Sequence, residues 1–211
     1  MALVAADIRP DQLVFADESH FNRLTLRRPY AWSIRGERAQ RYEFSLRGTK
    51  YSLLPALSQN GILHFEVLEN AITGEDFRKF VEGLLPHMNK WPLPNSVLVM
   101  HNTAIHKVGD SREMVEEHGS RILYLPTYSP DFNPIEHAFS SIKSWLRLNR
   151  DRVNLELESE DTTVHDIFWE AVRSITAEDW KGWYKDCGYR AMNPNSPVGV
   201  PGETASGSSG S

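Results

Sequence analysis

Cysteine is almost absent from this sequence, because Cys187 is the only one among 211 residues. No internal disulfide can form, so stability must come from a packed core, and a chain of this length can bury one within a single domain. No apolar run reaches the roughly 18 residues of a membrane-spanning helix. The first residues also lack the basic flank and apolar stretch of a signal peptide. These absences exclude a disulfide-stapled scaffold and predict no membrane association.

An excess of positive charge is also missing, since the net charge is −5. The charge is uneven, however: residues 23–50 carry eight basic and two acidic side chains, whereas residues 151–170 carry seven acids and one arginine. A phosphate backbone responds to local potential, so the basic segment is a candidate nucleic-acid surface. On charge alone, a solvated, salt-bridged surface is the simpler explanation.

The pattern of apolar residues predicts strands and helices in mixed order. Strands are predicted at 13–16, 44–57, 62–68, 97–100 and 122–125. Helices are predicted at about 74–88, 111–118, 134–146, 163–175 and 177–186. Asn60-Gly61 suits a tight hairpin turn, Thr73 and Asp76 form a capping box, and Asn133 caps the helix that starts at Pro134.

This order predicts an α/β domain with a mixed sheet flanked by helices. The domain is expected to cover residues 1–192. Residues 193–211 are rich in proline, glycine and serine, and we expect them to be disordered.

Three side chains stand out because each follows a strand or lies near a helix start. Asp17 comes directly after the first apolar run, and His101 directly after the run 97–100. Glu136 lies in the string Leu-Pro-Thr-Tyr-Ser-Pro-Asp-Phe-Asn-Pro-Ile-Glu. Thirty-four residues separate His101 from Glu136.

This combination resembles the mariner-type branch of the DDE transposases over about residues 13–150. In that family a Leu-Pro, Tyr-Ser-Pro, Asn-Pro-Ile-Glu string carries the last catalytic carboxylate, and a strand ending in Asp-Asn carries the second. The interval of 34 residues is also the family's own. The third motif is highly specific, whereas the first, around Asp17, is weak by itself.

The resemblance implies a ribonuclease H-like fold with a mixed five-stranded sheet, and DNA strand cleavage and transfer with two Mg²⁺ or Mn²⁺ ions. Asp17, His101 and Glu136 would be the catalytic and metal-binding residues. Such ions lie about 3.5–4 Å apart, so the strand ending at Asp17 should lie beside the strand ending at Met100, with the helix after Asn133 packed over their ends.

The resemblance also implies DNA as the partner, allows a homodimer, and places the protein in the nucleus of a eukaryotic cell or otherwise in the cytoplasm. The basic side chains expected to contact DNA are Arg27, Arg28, Arg35, Arg38, Lys107 and Lys143.

His101 departs from the family, which has aspartate at this position. An imidazole offers one nitrogen lone pair and no negative charge, so it suits Mn²⁺ or Zn²⁺ better than Mg²⁺. The chain also lacks the helix-turn-helix region with which longer relatives find transposon ends, so a fragment or a decayed or repurposed copy is expected. A non-catalytic DNA-binding or assembly module is therefore one alternative. Another is an unrelated metal-dependent hydrolase whose metal is held by His101, His106 and an acid other than Asp17.

Simpler roles exist for several of these residues. Glu136 could be a capping-box glutamate, and Asp17 a turn residue at a strand end. Glu18 should point to the opposite face and is only an alternate ligand, while Asp131 should shape a turn. His106 suits a local hydrogen bond. The tryptophans expected to pack in or against the core are Trp145, Trp169, Trp180 and Trp183.

Overall fold

The computed structural model describes residues 8–22, 32–38, 50–101, 110–126, 129–157 and 163–189. The predicted disordered tail and the start of the predicted strand 44–57 lie outside these ranges. None of the described helices combines the length and the apolar character that crossing a membrane requires.

Six strands form one sheet. They are β1 (Leu13–Ala16), β2 (Ser19–Phe21), β3 (Tyr51–Ser58), β4 (Gly61–Glu69), β5 (Val97–His101) and β6 (Arg121–Leu125). β1 runs antiparallel to β3 and parallel to β5, and β6 is parallel to β5 on the far side. β4 pairs with the outer edge of β3. The sheet is therefore mixed, as predicted.

The sheet has one strand more than predicted, because the strand that pairs with β3 is interrupted at Asp17 and Glu18 and so divided into β1 and β2. β1 and β2 pair with the same side of β3 in one continuous register, since Ala16 lies opposite Ala56 and Ser19 opposite Leu53. The two interrupting residues therefore face Leu54 and Pro55, and a proline has no N–H to donate to the ladder. β1 and β2 together occupy one position in the sheet, so the six strands fill five positions. The sequence predicts a sheet of five strands.

Six helices cover the two faces of this sheet. They are α1 (Gly74–Leu84), α2 (Ser111–Glu117), α3 (Ile135–Leu148), α4 (Arg150–Glu156), α5 (Val164–Arg173) and α6 (Ala177–Asp186). The predicted capping box of α1 is present, because Thr73 accepts from the Asp76 N–H and Asp76 accepts from the Thr73 N–H. The short α4 was not predicted.

Two cores lie on opposite faces of the sheet, because successive strand residues point to opposite sides. Phe15 and Val99 pack into the core under α3, α5 and α6. Val14 and Leu98 pack into the core under α1 and α2. The predicted packing role of the tryptophans is confirmed: Trp180 is buried, and Trp145, Trp169 and Trp183 pack against the first core.

The hairpin between β3 and β4 forms at the predicted turn. Gly61 has a φ of 125°, a conformation that favours glycine. The Ser58 hydroxyl donates to the carbonyl oxygen of Gly61 at 2.9 Å and accepts from the Asn60 N–H at 3.2 Å. A side chain thus closes a turn that the sequence indicates by its Asn-Gly pair.

Tyr184 connects the last helix to the two central strands. The side chain is fully buried, and its ring meets the Phe15 ring edge-on with centroids 5.4 Å apart. Its hydroxyl lies 3.0 Å from the carbonyl oxygens of both Leu13 and Leu57. Because the hydroxyl has a single proton, the two carbonyl groups share one donor. α6 is therefore fastened to β1 and β3 together.

We expect Tyr184→Phe to lower the free energy of unfolding by about 1–3 kcal/mol, because two buried carbonyl groups would lose their shared donor. Urea denaturation measures the change. Tyr124→Phe is the control, since Tyr124 lies on β6 and is only partly buried. Equal losses in both variants would show that the shared bond contributes nothing.

The capping box of α1 should make stability depend on pH. Asp76 accepts hydrogen bonds from the Thr73 hydroxyl at 2.6 Å and the Thr73 N–H at 3.0 Å, and both lower its pKa from the usual 3.8. A lowered folded-state pKa gives stabilisation that is complete above the unfolded value and is lost as the pH falls through the folded value. The stability advantage over Asp76→Asn should therefore be constant near neutral pH and shrink below pH 3.8.

Denaturant unfolding across that pH range checks this expectation. Thr73→Ser retains the hydroxyl and should keep the same pH dependence. An advantage over Asp76→Asn that does not change between neutral and acidic pH would contradict it.

Candidate metal centre

Asp17 lies at the carboxyl end of β1, where the pairing with β3 is interrupted. It continues the alternation of Leu13 and Phe15, so its side chain points to the face covered by α3. Ala16 pairs with Met100 in the parallel register of β1 and β5. The next residue of each strand, Asp17 and His101, therefore lies at the same edge of the sheet.

His101 is the last residue of β5 and is half-buried. It continues the alternation of Val97 and Val99, which lie in the core under α3. Its Nε2 is 3.2 Å from Oδ2 of Asp17. The predicted neighbourhood of the two strand ends is thus confirmed.

Glu136 enters the same space from α3. The helix packs its apolar face on the sheet through Ile135, Ala138, Phe139, Ile142 and Leu146. Its first turn therefore lies over the strand ends. One ligand atom each of Asp17, His101 and Glu136 lies within 4.8 Å of the others.

Three donors surround the carboxylate of Asp17. The Glu18 N–H donates to Oδ1 at 2.8 Å, and the Asn133 amide donates to Oδ2 at 2.9 Å. His101 Nε2 approaches the same Oδ2. Asp17 is 9% exposed, and a buried carboxylate is costly unless such donors compensate it.

The three charges influence one another. The hydrogen bond with Asp17 raises the pKa of His101, against the opposing effect of burial. Partial burial raises the pKa of the Glu136 carboxyl, and the nearby Asp17 carboxylate raises it further. A protonated imidazole has no lone pair for a metal, so the raised pKa of His101 works against its use as a ligand.

The predicted role of Asn133 as a helix cap is wrong. α3 has no side-chain cap bond, and the residue before its first turn is Pro134. The Asn133 side chain instead points to Asp17, to which its Nδ2 donates, because a buried carboxylate needs donors more than a helix start that water can reach. The same absence of a cap bond contradicts the capping-box role of Glu136.

Other predicted residues lie apart from this cluster. Glu18 follows the alternation of Val14 and Ala16, so it faces the opposite core. Asp131 is exposed in the turn that spans Pro130–Phe132, as predicted. His106 lies outside the described residues. Because Asp17 contacts His101, a hydrolase site built without Asp17 is contradicted.

The predicted DNA-contacting residues are only partly described. Arg35 and Arg38 are exposed in the segment 32–38, where a turn places Gly36 at a φ of 96°. Lys143 lies on α3, with its Nζ 5.3 Å from the centroid of the Phe21 ring. Arg27, Arg28 and Lys107 lie outside the described residues.

The donor set fits one divalent ion. Two carboxylates and one imidazole within 4.8 Å of one another provide three ligands of the kinds that Mn²⁺ accepts, whereas Mg²⁺ prefers oxygen. An ion bound through His101 Nε2 would have to replace the contact of that nitrogen with Asp17 Oδ2. In the described part of the chain, no other group of three such side chains could hold a second ion.

Comparison with solved structures identifies the fold. The Mos1 mariner paired-end complex with Mn is similar over 85% of this chain and 56% of that chain, at 19% identity and a TM-score of 0.55. The pre-cleavage Mos1 transpososome is similar over 85% and 56%, at 17% identity and a TM-score of 0.54. The present chain thus spans a little over half the length of these relatives and shares their ribonuclease H-like fold.

Sequence comparison identifies the family. No curated protein matches the chain. The family model described as DDE superfamily endonuclease matches residues 12–156, the part that contains Asp17, His101 and Glu136. The chain therefore belongs to the DDE superfamily endonucleases.

Proposed function

We propose that this chain is the catalytic domain of a DNA transposase, made for metal-dependent strand cleavage and transfer but weakened by His101. One observation carries the proposal: His101 Nε2 lies 3.2 Å from Asp17 Oδ2, at the position where the family has aspartate. The family membership, the fold and the convergence of Asp17 with Glu136 support the endonuclease chemistry.

Asp17 and Glu136 would hold a divalent ion, with the neutral imidazole of His101 as a third ligand. When bound, such an ion polarises a phosphoryl oxygen and makes water or a hydroxyl a better nucleophile. Mg²⁺ and Mn²⁺ are the candidates, and Mn²⁺ accepts nitrogen ligands more readily.

His101 opposes this binding in two ways. Its hydrogen bond occupies Asp17 Oδ2, and its raised pKa favours the cationic form that repels an incoming cation. To become a ligand it must release its Nε2 proton and turn the lone pair away from Asp17. The cluster also has two carboxylates where the family has three, so less negative charge faces the ion.

DNA would reach this centre along basic side chains. Lys143 lies on the same helix as Glu136. Its charge lowers the pKa of Glu136, although burial, which raises that pKa, has the larger effect. A phosphate at the centre would therefore lie within the electric field of Lys143. Arg35 and Arg38 lie exposed beside Trp32, which is fully exposed. Guanidinium groups bind phosphates, and an exposed indole can stack on a base.

The same contact supports a second candidate, a DNA-binding module without catalysis. The hydrogen bond with His101 satisfies Asp17 Oδ2, so in this second candidate the centre needs no ion. In that case the basic side chains would still bind DNA while no cleavage occurs. Metal binding separates the two functions.

We expect His101→Asp to gain Mg²⁺ binding, because a carboxylate replaces the imidazole that occupies Asp17. Metal-dependent thermal unfolding measures this, since an ion that binds only the folded state stabilises it by about 2.7 kcal/mol at 100 times its Kd. The unmodified chain should respond to Mn²⁺ more than to Mg²⁺. Nicking of supercoiled DNA by His101→Asp should follow.

His87→Asp is the matched control, because it makes the same substitution at an exposed position on the α1 side. It should leave the metal response unchanged. If the unmodified chain and His101→Asp bind Mg²⁺ with equal affinity, position 101 is not a ligand and the proposal fails.

Binding to duplex DNA should be weak, independent of sequence and steeply dependent on salt, because phosphate contacts dominate it. Replacing Arg27, Arg28 and Arg35 by glutamate should weaken it and flatten the salt dependence, as fluorescence anisotropy would show. Glutamate at Lys79, Lys90 and Arg112 is the control of equal charge. If both triple variants bind alike, the segment 23–50 is only a solvated surface.

A further inference from the structure

Asn133 is the most deeply buried polar side chain at the centre, with an exposed fraction of 1%. Its Nδ2 donates to Asp17 Oδ2 at 2.9 Å and lies 3.4 Å from His101 Nε2. A carboxylate oxygen at that distance requires a donor, so the NH₂ end of the amide faces Asp17. Asn133 therefore contacts two of the three clustered side chains without being one of them.

We propose that Asn133 is a positioning residue that holds the Asp17 carboxylate, and that Tyr189 fixes the turn that carries Asn133. This inference rests on the proposed function of the centre and adds to it how the metal-binding oxygen is oriented. It also assigns a role to a residue beyond the segment 12–156 that the family model matches.

The backbone around Asn133 is held on both sides. The Asn133 N–H donates to the carbonyl oxygen of Pro130 at 2.8 Å, and the Asn133 carbonyl oxygen accepts from the Glu136 N–H at 3.2 Å. The Tyr189 hydroxyl donates to the carbonyl oxygen of Phe132 at 2.8 Å. The preceding turn and the following helix are both fixed. The backbone of Asn133 therefore needs no further ordering when its side chain bonds to Asp17.

The other end of the Asn133 amide shows that this orientation has a cost. Its Oδ1 is buried and has no hydrogen-bond partner among the residues that the structure describes. A buried acceptor without a donor is unfavourable, and turning the amide over would bring Oδ1 against Asp17 Oδ2, which repels it. This orientation of the amide thus leaves Oδ1 of Asn133 without a partner among the described residues and keeps Nδ2 as a donor to Asp17.

Tyr189 contacts both segments that lead to this hydrogen bond. Its ring packs on Phe15 of β1 with centroids 5.2 Å apart, two residues before Asp17. Its hydroxyl holds Phe132, one residue before Asn133. One buried tyrosine therefore sets the distance between the strand end and the turn that meet at the centre.

The orientation matters more here than in a centre with three carboxylates. Only Asp17 and Glu136 carry negative charge towards an ion, and Asp17 Oδ2 is already shared by His101 and Asn133. A donor that keeps this carboxylate in place prepares it for metal binding without being a ligand, and loss of such a partner typically weakens metal affinity about 10-fold or more.

The test compares Asn133→Leu, which has a similar volume and no donor, with Tyr189→Phe, which loses one oxygen. The matched control is Asn149→Leu, because Asn149 donates to the carbonyl oxygen of Trp145 at the other end of α3. The first readout is the side-chain carboxyl ¹³C resonance of Asp17 in metal-free protein. The second is the affinity for Mn²⁺ alone, measured from the free-ion signal in electron paramagnetic resonance.

Asn133→Leu should shift the Asp17 resonance and weaken Mn²⁺ binding about 10-fold. Tyr189→Phe should shift the resonance in the same direction by a smaller amount. Asn149→Leu should lower the melting temperature and change neither readout. If Asn133→Leu folds and its Asp17 resonance is unchanged, the proposal is wrong. If Asn133→Leu does not fold, an unchanged Asp17 resonance in Tyr189→Phe overturns the proposal instead.

The metal-free measurement separates this inference from the proposed function. If the unmodified chain binds no Mn²⁺, the metal-dependent function fails. The resonance of Asp17 still decides whether Asn133 positions it.

Discussion

The organisation of this molecule depends on how the Asp17 carboxylate is compensated at the end of β1. A carboxylate that is largely removed from water must find donors or cations nearby. Here the donors come from three separate places: the next backbone N–H, the turn before α3 and the end of β5. Because each donor lies on a different element, satisfying this one charge requires the sheet and α3 to be in their correct relative positions.

The replacement of a carboxylate by His101 changes the balance at this point. Three close carboxylates repel one another and need cations to hold them together, whereas an imidazole next to a carboxylate forms a favourable pair without help. On the proposed function, His101 would lower the affinity of the site for an ion and stabilise the site when no ion is bound. The two hydrophobic cores contain none of these three side chains.

The family resemblance and the motif string predicted most of the centre. The resemblance placed the strands that end at Asp17 and Met100 side by side, and the string around Glu136 located the third side chain. Asn133 was misassigned because local capping rules describe an isolated helix, whereas here a tertiary contact decides where the amide points. The hydroxyl contacts of Tyr184 and Tyr189 could not be derived, because each joins residues far apart in the sequence.

Elements too short for a periodic signal were also missed. β2 has three residues and contains the exposed His20, so it shows no apolar run. α4 has seven residues, and Val153 is its only buried apolar side chain. The length of an element thus limited what could be predicted more than its burial did.

The bond from Tyr184 to Leu13 spans 171 positions of the chain. Contacts between residues so far apart in the sequence form late in folding, because closing the long loop between them costs conformational entropy before the contact stabilises the chain. During synthesis, β1 therefore leaves the ribosome long before the tyrosine that fastens it is made. Until then Phe15 lacks the rings that cover it, and the growing chain exposes an apolar strand that other chains or chaperones can bind.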